Sequence, residues 1–520
     1  MIVLESEYDV MAVSESATAV NQAGSDREYL SVTNPISGNS IGKIPITTPE
    51  AVRAAFLRAK AAQPAWDARG TQARSKLILA WVDLLWEKQK DIIQTIRDEM
   101  GKTETSAFME VGVIYNTTLY YLHHAPHLLR PQTRRSGVPV KHKARLYYKP
   151  YGVCGFITPW NYPLLNAWQD LIPALIAGNT ALLKPSELTP FTSLRVVDMM
   201  YQAGIPQDVV QVLTGDGRTG AAVVEQADYI AFTGSTQTGR RIAMRAAERL
   251  IPVSLELGGK DPMIILKDAN VDLAASGALA GALENSGQVC VSIERIYVER
   301  DIYDPFIERI QHYVQQMQIG AGDGMDVHMG SMTSERELLR SEEHIADALA
   351  KGARVLFGGK RRPDLGPLFF EPTILVDVDH TMRVMQEETF GPLVPIMRVD
   401  NVQEAVRLAN DSAYGLSAAI HSKDLKRAEQ IATQIESGDV HINTTHWIFG
   451  TTALPMGGVK HSGMGRRNGP EGLMRFVRPQ AILVDNQLLD RPKMVLLDNF
   501  TYRVVRMLLW LRRRFPRIFL

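Results

Sequence analysis

From Thr48 onward the alternation of apolar and polar positions follows a helical period. The run TPEAVRAAFLRAKAAQPAW opens with a threonine cap and a proline at the first helical position. Two more helical stretches are predicted over 72–100 and 103–129. Residues 1–28 are polar, Ser/Ala-rich and without period, which predicts a loose arm. The segment 134–149 is basic and then strand-like, as in a projecting hairpin. Beyond it, short apolar runs alternate with helical ones. GVCGFITPW, TALLKP, VVQVLTG and YIAFTG read as strands. NYPLLNAWQDLIPALIAG, LRVVDMMYQAG and AAVVEQA read as the helices between them. This order predicts βαβ units on a parallel, doubly wound sheet. A second alternating series runs from Val253 to about Asn443. No solenoid-length repeat or low-complexity tract interrupts it.

The chain has 520 residues, enough for two or three folding units. Lys+Arg and Asp+Glu both number 57, so the whole chain has no electrostatic reason to bind nucleic acid. Only Cys154 and Cys290 are present, too few for a disulfide framework or a zinc-ligand pattern. A reducing cytosol is the expected compartment, where a thiol either packs or acts as a nucleophile. The first residues carry acids and lack a basic, then apolar leader, so no secretory signal is expected. No apolar run reaches the roughly 18 residues needed to span a bilayer.

Four segments hold candidate chemistry. In YIAFTGSTQTGRRIA a strand ends at Phe232 and a helix begins near Thr236. Its backbone N–H groups suit a pyrophosphate, and Gly234 and Gly239 permit close approach. The spacing is Gly-x-x-x-x-Gly rather than the usual dinucleotide fingerprint, so a plain glycine turn explains it equally well. Cys290 has a small, polar surround (ENSGQVCVS), whereas Cys154 lies in an apolar strand and reads as packing. Glu256, between Leu255 and Leu257, is either an ion-paired carboxylate or a base with a raised pKa. Gly258 and Gly259 after it let a ligand or the backbone come close. Asn161, between Pro159 and Pro163, is either a turn former or an amide aimed at an oxyanion.

Together these segments resemble the aldehyde dehydrogenase family. The motifs are NPISGNSIG (34–42), PWNYP (159–163), KPSE (184–187), FTGSTQTG (232–239), LELGGKDP (255–262), NSGQVC (285–290), EETFGPL (387–393) and PMGGVKHSGMGR (455–466), and the likeness spans about 30–485. The resemblance implies an α/β fold with two doubly wound Rossmann-type domains and a small bridging β-element. The expected division is 29–133 with 150–253 for NAD(P) binding, 254–477 for catalysis, and 134–149 with 478–490 for bridging and oligomerisation. It also implies a homodimer or homotetramer. Cys290 is implied as nucleophile, Asn161 with the Cys290 N–H as oxyanion donors, and Glu256 as the base that activates water on the thioester. Lys184 and Glu187 fall at the adenine ribose, Ser235 at the pyrophosphate, and Glu388 and Phe390 at the nicotinamide. Ile157, Trp160, Gly215, Gly234, Gly239 and Leu257 are the remaining cofactor contacts. Glu187 favours NAD over NADP, because a carboxylate accepts from ribose hydroxyls and repels a 2′-phosphate.

SIERIYVE, GPLFFEPTIL and GRRNGPEGLMRF resemble a bacterial branch labelled succinate-semialdehyde dehydrogenase. Such enzymes line the substrate channel with arginines, and the corresponding positions here are Gln169 and Glu284. Glu284 would repel a second carboxylate. Leu165, Trp168 and the run His446-Trp447-Ile448-Phe449 suggest an apolar tunnel for medium- or long-chain aldehydes, although the same residues would also serve as core. The competing readings are succinate-semialdehyde oxidation, thiol-dependent ester hydrolysis and a catalytically inactive relative. From residue 491 the chain is rich in Lys and Arg. A helix over 499–515 would place Phe500, Val504, Met507, Leu508, Leu511 and Phe515 on one face and Arg503, Arg506 and Arg513 on another, ending at Pro516. That face suits either peripheral contact with an anionic membrane or docking on the enzyme's own oligomer.

Overall fold

The computed structural model describes residues 28–136, 142–487 and 499–515. The arm expected over 1–28 lies outside these residues except for Glu28. The chain divides into two compact units, 1–128 with 150–476 and 129–149 with 477–520.

The larger unit is built on two sheets. The first has six strands in the spatial order Gly463–Met464, Val253–Glu256, Tyr229–Thr233, Val153–Ile157, Thr180–Lys184 and Val210–Val212. All pairings are parallel except that of the Gly463–Met464 edge. From Val153–Ile157 the chain builds outward to one side and then returns to build on the other. Tyr229–Thr233 and Val153–Ile157 therefore flank a switch point, where open α/β sheets bind ligands beyond their C-terminal ends. The boundary expected at 253/254 falls inside a strand of this sheet, and residues 463–464 join it from far along the chain.

The second sheet has seven strands, ordered Arg354–Phe357, Thr373–Val376, Leu393–Val399, Ile293–Glu299, Asp261–Ile265, Ala419–His421 and His441–Ile442. Side chains alternate across a strand, so Met263 and Ile265 pack with Ala278, Phe306 and Ile310 on one face. Ile264 packs with Leu338, Ala405 and Leu408 on the other. Burial of both faces explains why these strands are apolar without alternation.

The predicted helix after Thr48 spans Pro49–Ala68, with Thr48 Oγ1 accepting from the Ala51 N–H at 3.3 Å. The stretch expected over 72–100 is two helices, Gly70–Glu87 and Gln89–Met100, broken at Lys88. Neither Gly nor Pro marks the break, so the apolar period runs across it. The helix Leu165–Ile176 is buried along all of its length.

In the smaller unit Gln132–Arg134 pairs antiparallel with His142–Pro150, as the hairpin predicts, and Val477–Asp485 completes a three-stranded sheet. The helix Asn499–Arg514 follows; Pro516 lies outside the described residues. Its expected apolar face is not uniform. Val504, Leu508 and Leu511 are half-buried, whereas Phe500, Met507 and Phe515 are exposed together with Tyr502, Val505, Leu509 and Trp510. Among the described residues no helix is long and apolar enough to cross a membrane.

Candidate active site

The first sheet's switch point opens into a groove of about 540 Å³. Ile157, Trp160, Lys184, Glu187, Gly234 and Ser235 line it, each at or just beyond the C-terminal end of a strand. Ser235 caps the helix Thr236–Glu248, accepting from the Thr238 N–H at 3.4 Å. The uncapped N–H groups of that first turn favour an anion. Lys184 Nζ lies 3.0 Å from Glu187 Oε2, so the groove offers a cation already engaged by a carboxylate.

A smaller cavity of about 120 Å³ adjoins the groove, and Trp160, Gly234 and Ser235 line both. Around it stand Asn161, Asn166, Glu256, Leu257, Cys290, Glu388 and Phe390. Asn161, Glu256 and Cys290, far apart in sequence, thus share one space. Asn161 Nδ2 donates to the Gln288 carbonyl at 2.9 Å, which ties the turn between the two prolines to the loop before Cys290. In that loop Asn285 and Ser286 both take left-handed backbone, at φ 51° and 58°. Such a conformation costs about 1–3 kcal/mol per residue and persists only where neighbours over-determine it. Here Asn285 Nδ2 donates to the Asn161 and Gln288 carbonyls, and Ser286 Oγ donates to that of Gly330.

Burial sets the ionisation of the site. It pushes the half-buried Cys290 thiol up to about 12, with Arg467 opposing and Glu256, Asp261 and Glu388 adding to the rise. It raises Glu256 to about 7 against the pull of Arg467 and Arg475. Among the described residues neither buried Glu256 carboxylate oxygen has a hydrogen-bond partner. Among these residues Glu256 therefore forms no ion pair of the kind the first of its two readings expects. Glu388 is also raised to about 7 by burial and accepts from the Gly259 N–H at 2.9 Å.

The sequence model of the aldehyde dehydrogenase family matches residues 21–482. The chain belongs to the aldehyde dehydrogenase family. It is 42% identical over 448 residues, 86% of each chain, to a Mycobacterium ulcerans protein named "Putative succinate-semialdehyde dehydrogenase (NADP+) 2". It is 38% identical to the 4,4′-diapolycopene aldehyde oxidase of a Methylomonas species, covering 89% of this chain and 87% of that one. Betaine aldehyde dehydrogenase from Staphylococcus aureus, solved with NAD+, superposes with a TM-score of 0.85 at 34% identity, over 91% of this chain and 94% of that one. Like its family, this aldehyde dehydrogenase is an NAD(P)-dependent oxidoreductase acting on aldehydes.

Not every residue implied by the resemblance reaches the groove of this aldehyde dehydrogenase. Gly215 does not line it; Gly217 and Gly220, on the helix that follows, do. Gly239 is also absent from the lining, and a Cβ there would lie 2.4 Å from Leu257, so this glycine lets its helix pack against the residue just beyond the strand Val253–Glu256. A Cβ on Gly258 would meet the Glu388 carboxylate at 2.6 Å, and one on Gly259 the Cys290 carbonyl at 2.4 Å. The pair therefore lets protein groups approach one another around the cavity.

A third space, of about 500 Å³, is lined by Tyr162 and Val289, the neighbours of Asn161 and Cys290. Leu165, Glu284, Trp447 and Phe449 line it, but Trp168, Gln169 and Ile448 do not. Trp168 is fully buried and stacks on Trp81, ring centroids 6.4 Å apart. Gln169 Nε2 donates to Asn468 Oδ1 at 2.8 Å inside the core. Both turn inward because the helix that carries them is surrounded by protein.

Two buried ion pairs beside the site escape sequence reading. Glu294 binds Lys260 Nζ at 2.6 Å and accepts from the Thr389 and Phe390 N–H groups at 2.8 and 2.9 Å. It thereby holds the turn that presents Glu388 and Phe390. Asp170 binds Arg467 through both carboxylate oxygens at 2.8 Å.

Proposed function

We propose that this enzyme oxidises apolar, medium- or long-chain aldehydes to carboxylic acids, preferring NAD, with Cys290 as nucleophile, Asn161 as oxyanion donor and Glu256 as base. The observation that carries the substrate class is the 500 Å³ space beside Cys290. Met109, Val113, Leu165, Trp447 and Phe449 wall it, and among the described residues no Lys or Arg lines it. Its charged wall groups are Glu110 and Glu284. Glu284 accepts from Ser106 Oγ at 2.5 Å and Tyr162 Oη at 3.3 Å, so a substrate carboxylate would meet a fixed carboxylate.

In this reading the Cys290 thiol gives its proton to solvent, the thiolate attacks the aldehyde carbon, and the carbonyl oxygen becomes an oxyanion facing Asn161 Nδ2 and the Cys290 N–H. When bound, the dinucleotide supplies the acceptor for the hydride that leaves that carbon. The acyl group then rests on Cys290 as a thioester. Glu256 takes a proton from water, the resulting hydroxide attacks the acyl carbon, and the carbon–sulfur bond breaks to release the acid and the thiolate. The groove's helix terminus and the Glu187 carboxylate fit a dinucleotide with free ribose hydroxyls. With Lys184 already paired to Glu187, the NAD preference rests on that carboxylate.

The names of the mycobacterial relatives favour succinic semialdehyde instead, and the Methylomonas relative's name favours an apolar aldehyde. Steady-state NADH or NADPH formation with hexanal, decanal, benzaldehyde and succinic semialdehyde separates these readings. Decanal with NAD is expected to give the highest kcat/KM. Succinic semialdehyde in first place would overturn the apolar reading.

The tail helix supports a peripheral membrane location. It exposes Tyr502, Val505, Leu509 and Trp510 alongside Arg503, Arg506 and Arg513, a mixture suited to an anionic lipid interface. The exposed edge strand Val477–Asp485, with Leu483 and Val484 open to solvent, supports a homo-oligomer. Full-length protein is expected to sediment with anionic liposomes and a 1–490 truncation to stay in solution; equal behaviour would remove the membrane reading. Sedimentation velocity on both proteins is expected to give a dimer or larger.

A further inference from the structure

The Asn161 side chain ends in one oxygen and one nitrogen of nearly equal size, and only the nitrogen can donate to an oxyanion. Packing alone cannot select the useful orientation. A chain of one-directional hydrogen bonds does so here, and it starts at a buried cation. Arg467 is 1% exposed, gripped by Asp170 and in contact with Thr233 Oγ1. Its Nη1 donates to Asn166 Oδ1 at 3.3 Å. A guanidinium only donates, so Asn166 must turn its oxygen to Arg467 and its nitrogen away. That nitrogen donates to Asn161 Oδ1 at 3.2 Å. Asn161 is left with Nδ2 donating to the Gln288 carbonyl on the side of Cys290, and among the described residues its second N–H has no acceptor. Asn166 and Asp170 lie one turn apart on the helix Leu165–Ile176, which brings both to Arg467.

We propose that Arg467 and Asn166 are positioning residues that lock the Asn161 amide with its N–H toward the reacting carbonyl oxygen. The cation also polarises the two amides in series, which strengthens the last donor. The proposal rests on the reading of Asn161 as oxyanion donor. It predicts a particular coupling: Asn166 matters only through Asn161.

A double-mutant cycle on hexanal oxidation with NAD tests it. Asn166→Asp keeps the bond to Arg467 but presents only oxygen to Asn161 Oδ1, so that amide must turn or withdraw. Its kcat/KM is expected to fall roughly 10²-fold, about as far as Asn161→Ala, with the Kd for NAD unchanged. In the Asn161→Ala background the same substitution is expected to cost nothing further. Asn166→Met, which removes the lock without adding charge, is expected to cost less and to show the same dependence on Asn161, so the test survives if the Asp variant does not fold. Equal losses in both backgrounds, or no loss in the native one, would overturn the lock and leave the oxyanion reading standing. No loss from Asn161→Ala itself would overturn the oxyanion reading, and the lock with it.

Discussion

Cys290→Ala is expected to abolish aldehyde-dependent NADH formation, a fall on the order of 10⁴-fold or more in kcat, while NAD still binds. Without the sulfur no covalent adduct forms on this residue, and among the described residues no other thiol lines the 120 Å³ cavity. Glu256 and Glu388 are weak nucleophiles, and the Ser235 and Thr233 hydroxyls are weaker nucleophiles than a thiolate. Cys154 cannot substitute. It is fully buried in the strand Val153–Ile157, where burial and Asp228 hold its thiol well above the ordinary range. Cys154→Ala should therefore keep most of the activity, and the pair of variants assigns the chemistry to one sulfur. The check is absorbance at saturating aldehyde, with intact-protein mass spectrometry for the acyl adduct. Activity within tenfold of native in Cys290→Ala would mean that the aldehyde is oxidised without a covalent step.

The parts of this site that could be read from the chain are those where local chemistry and local structure coincide. Val153–Ile157, Thr180–Lys184 and Tyr229–Thr233 are short apolar runs closed by Gly, Pro or Ser, so both the strands and the groove at their ends were legible. Cys290, Glu256 and Asn161 each admit a bland reading in their own segment, and it is the ordered set of motifs resembling the family that gives them roles. What stayed hidden has no local signature. Arg467 sits in a glycine-rich, basic stretch that looks like a solvated turn, yet it is buried against Asp170, nearly 300 positions away. Lys260 and Glu294 likewise become a pair only when two adjacent strands of the second sheet come together. Trp168 and Gln169 stay hidden for a different reason. On the helix Leu165–Ile176 every residue is buried, so neither the apolar character of Trp168 nor the position of Gln169 in the resemblance tells which way the side chain turns. The same limit applies to the tail helix, whose apolar residues surround it and are covered on one side only.

Glu256→Gln should separate the two halves of the reaction. The amide keeps the size of the side chain but cannot take a proton from water, so steady-state kcat is expected to fall about 10²–10⁴-fold. Hydride transfer precedes that step, so a burst of about one NADH per site should remain, with the thioester accumulating on Cys290. The pH dependence sharpens the assignment. Burial raises the Glu256 carboxyl to about 7, and the base is its ionised form. Wherever hydrolysis limits turnover, the rate should therefore fall as pH drops through about 7, approaching tenfold per unit below it, and level off above. Rapid-quench mass spectrometry of the thioester between pH 5.5 and 9 reads this limb directly, and the limb should vanish in Glu256→Gln. If it persists, the proton goes elsewhere, and Glu388, raised by burial to the same range, is the group in the cavity able to take it. If the burst disappears along with turnover, Glu256 acts earlier and deprotonates the Cys290 thiol. With that thiol held near 12 by burial, such a step would need a base at this position, and the base would then serve both half-reactions.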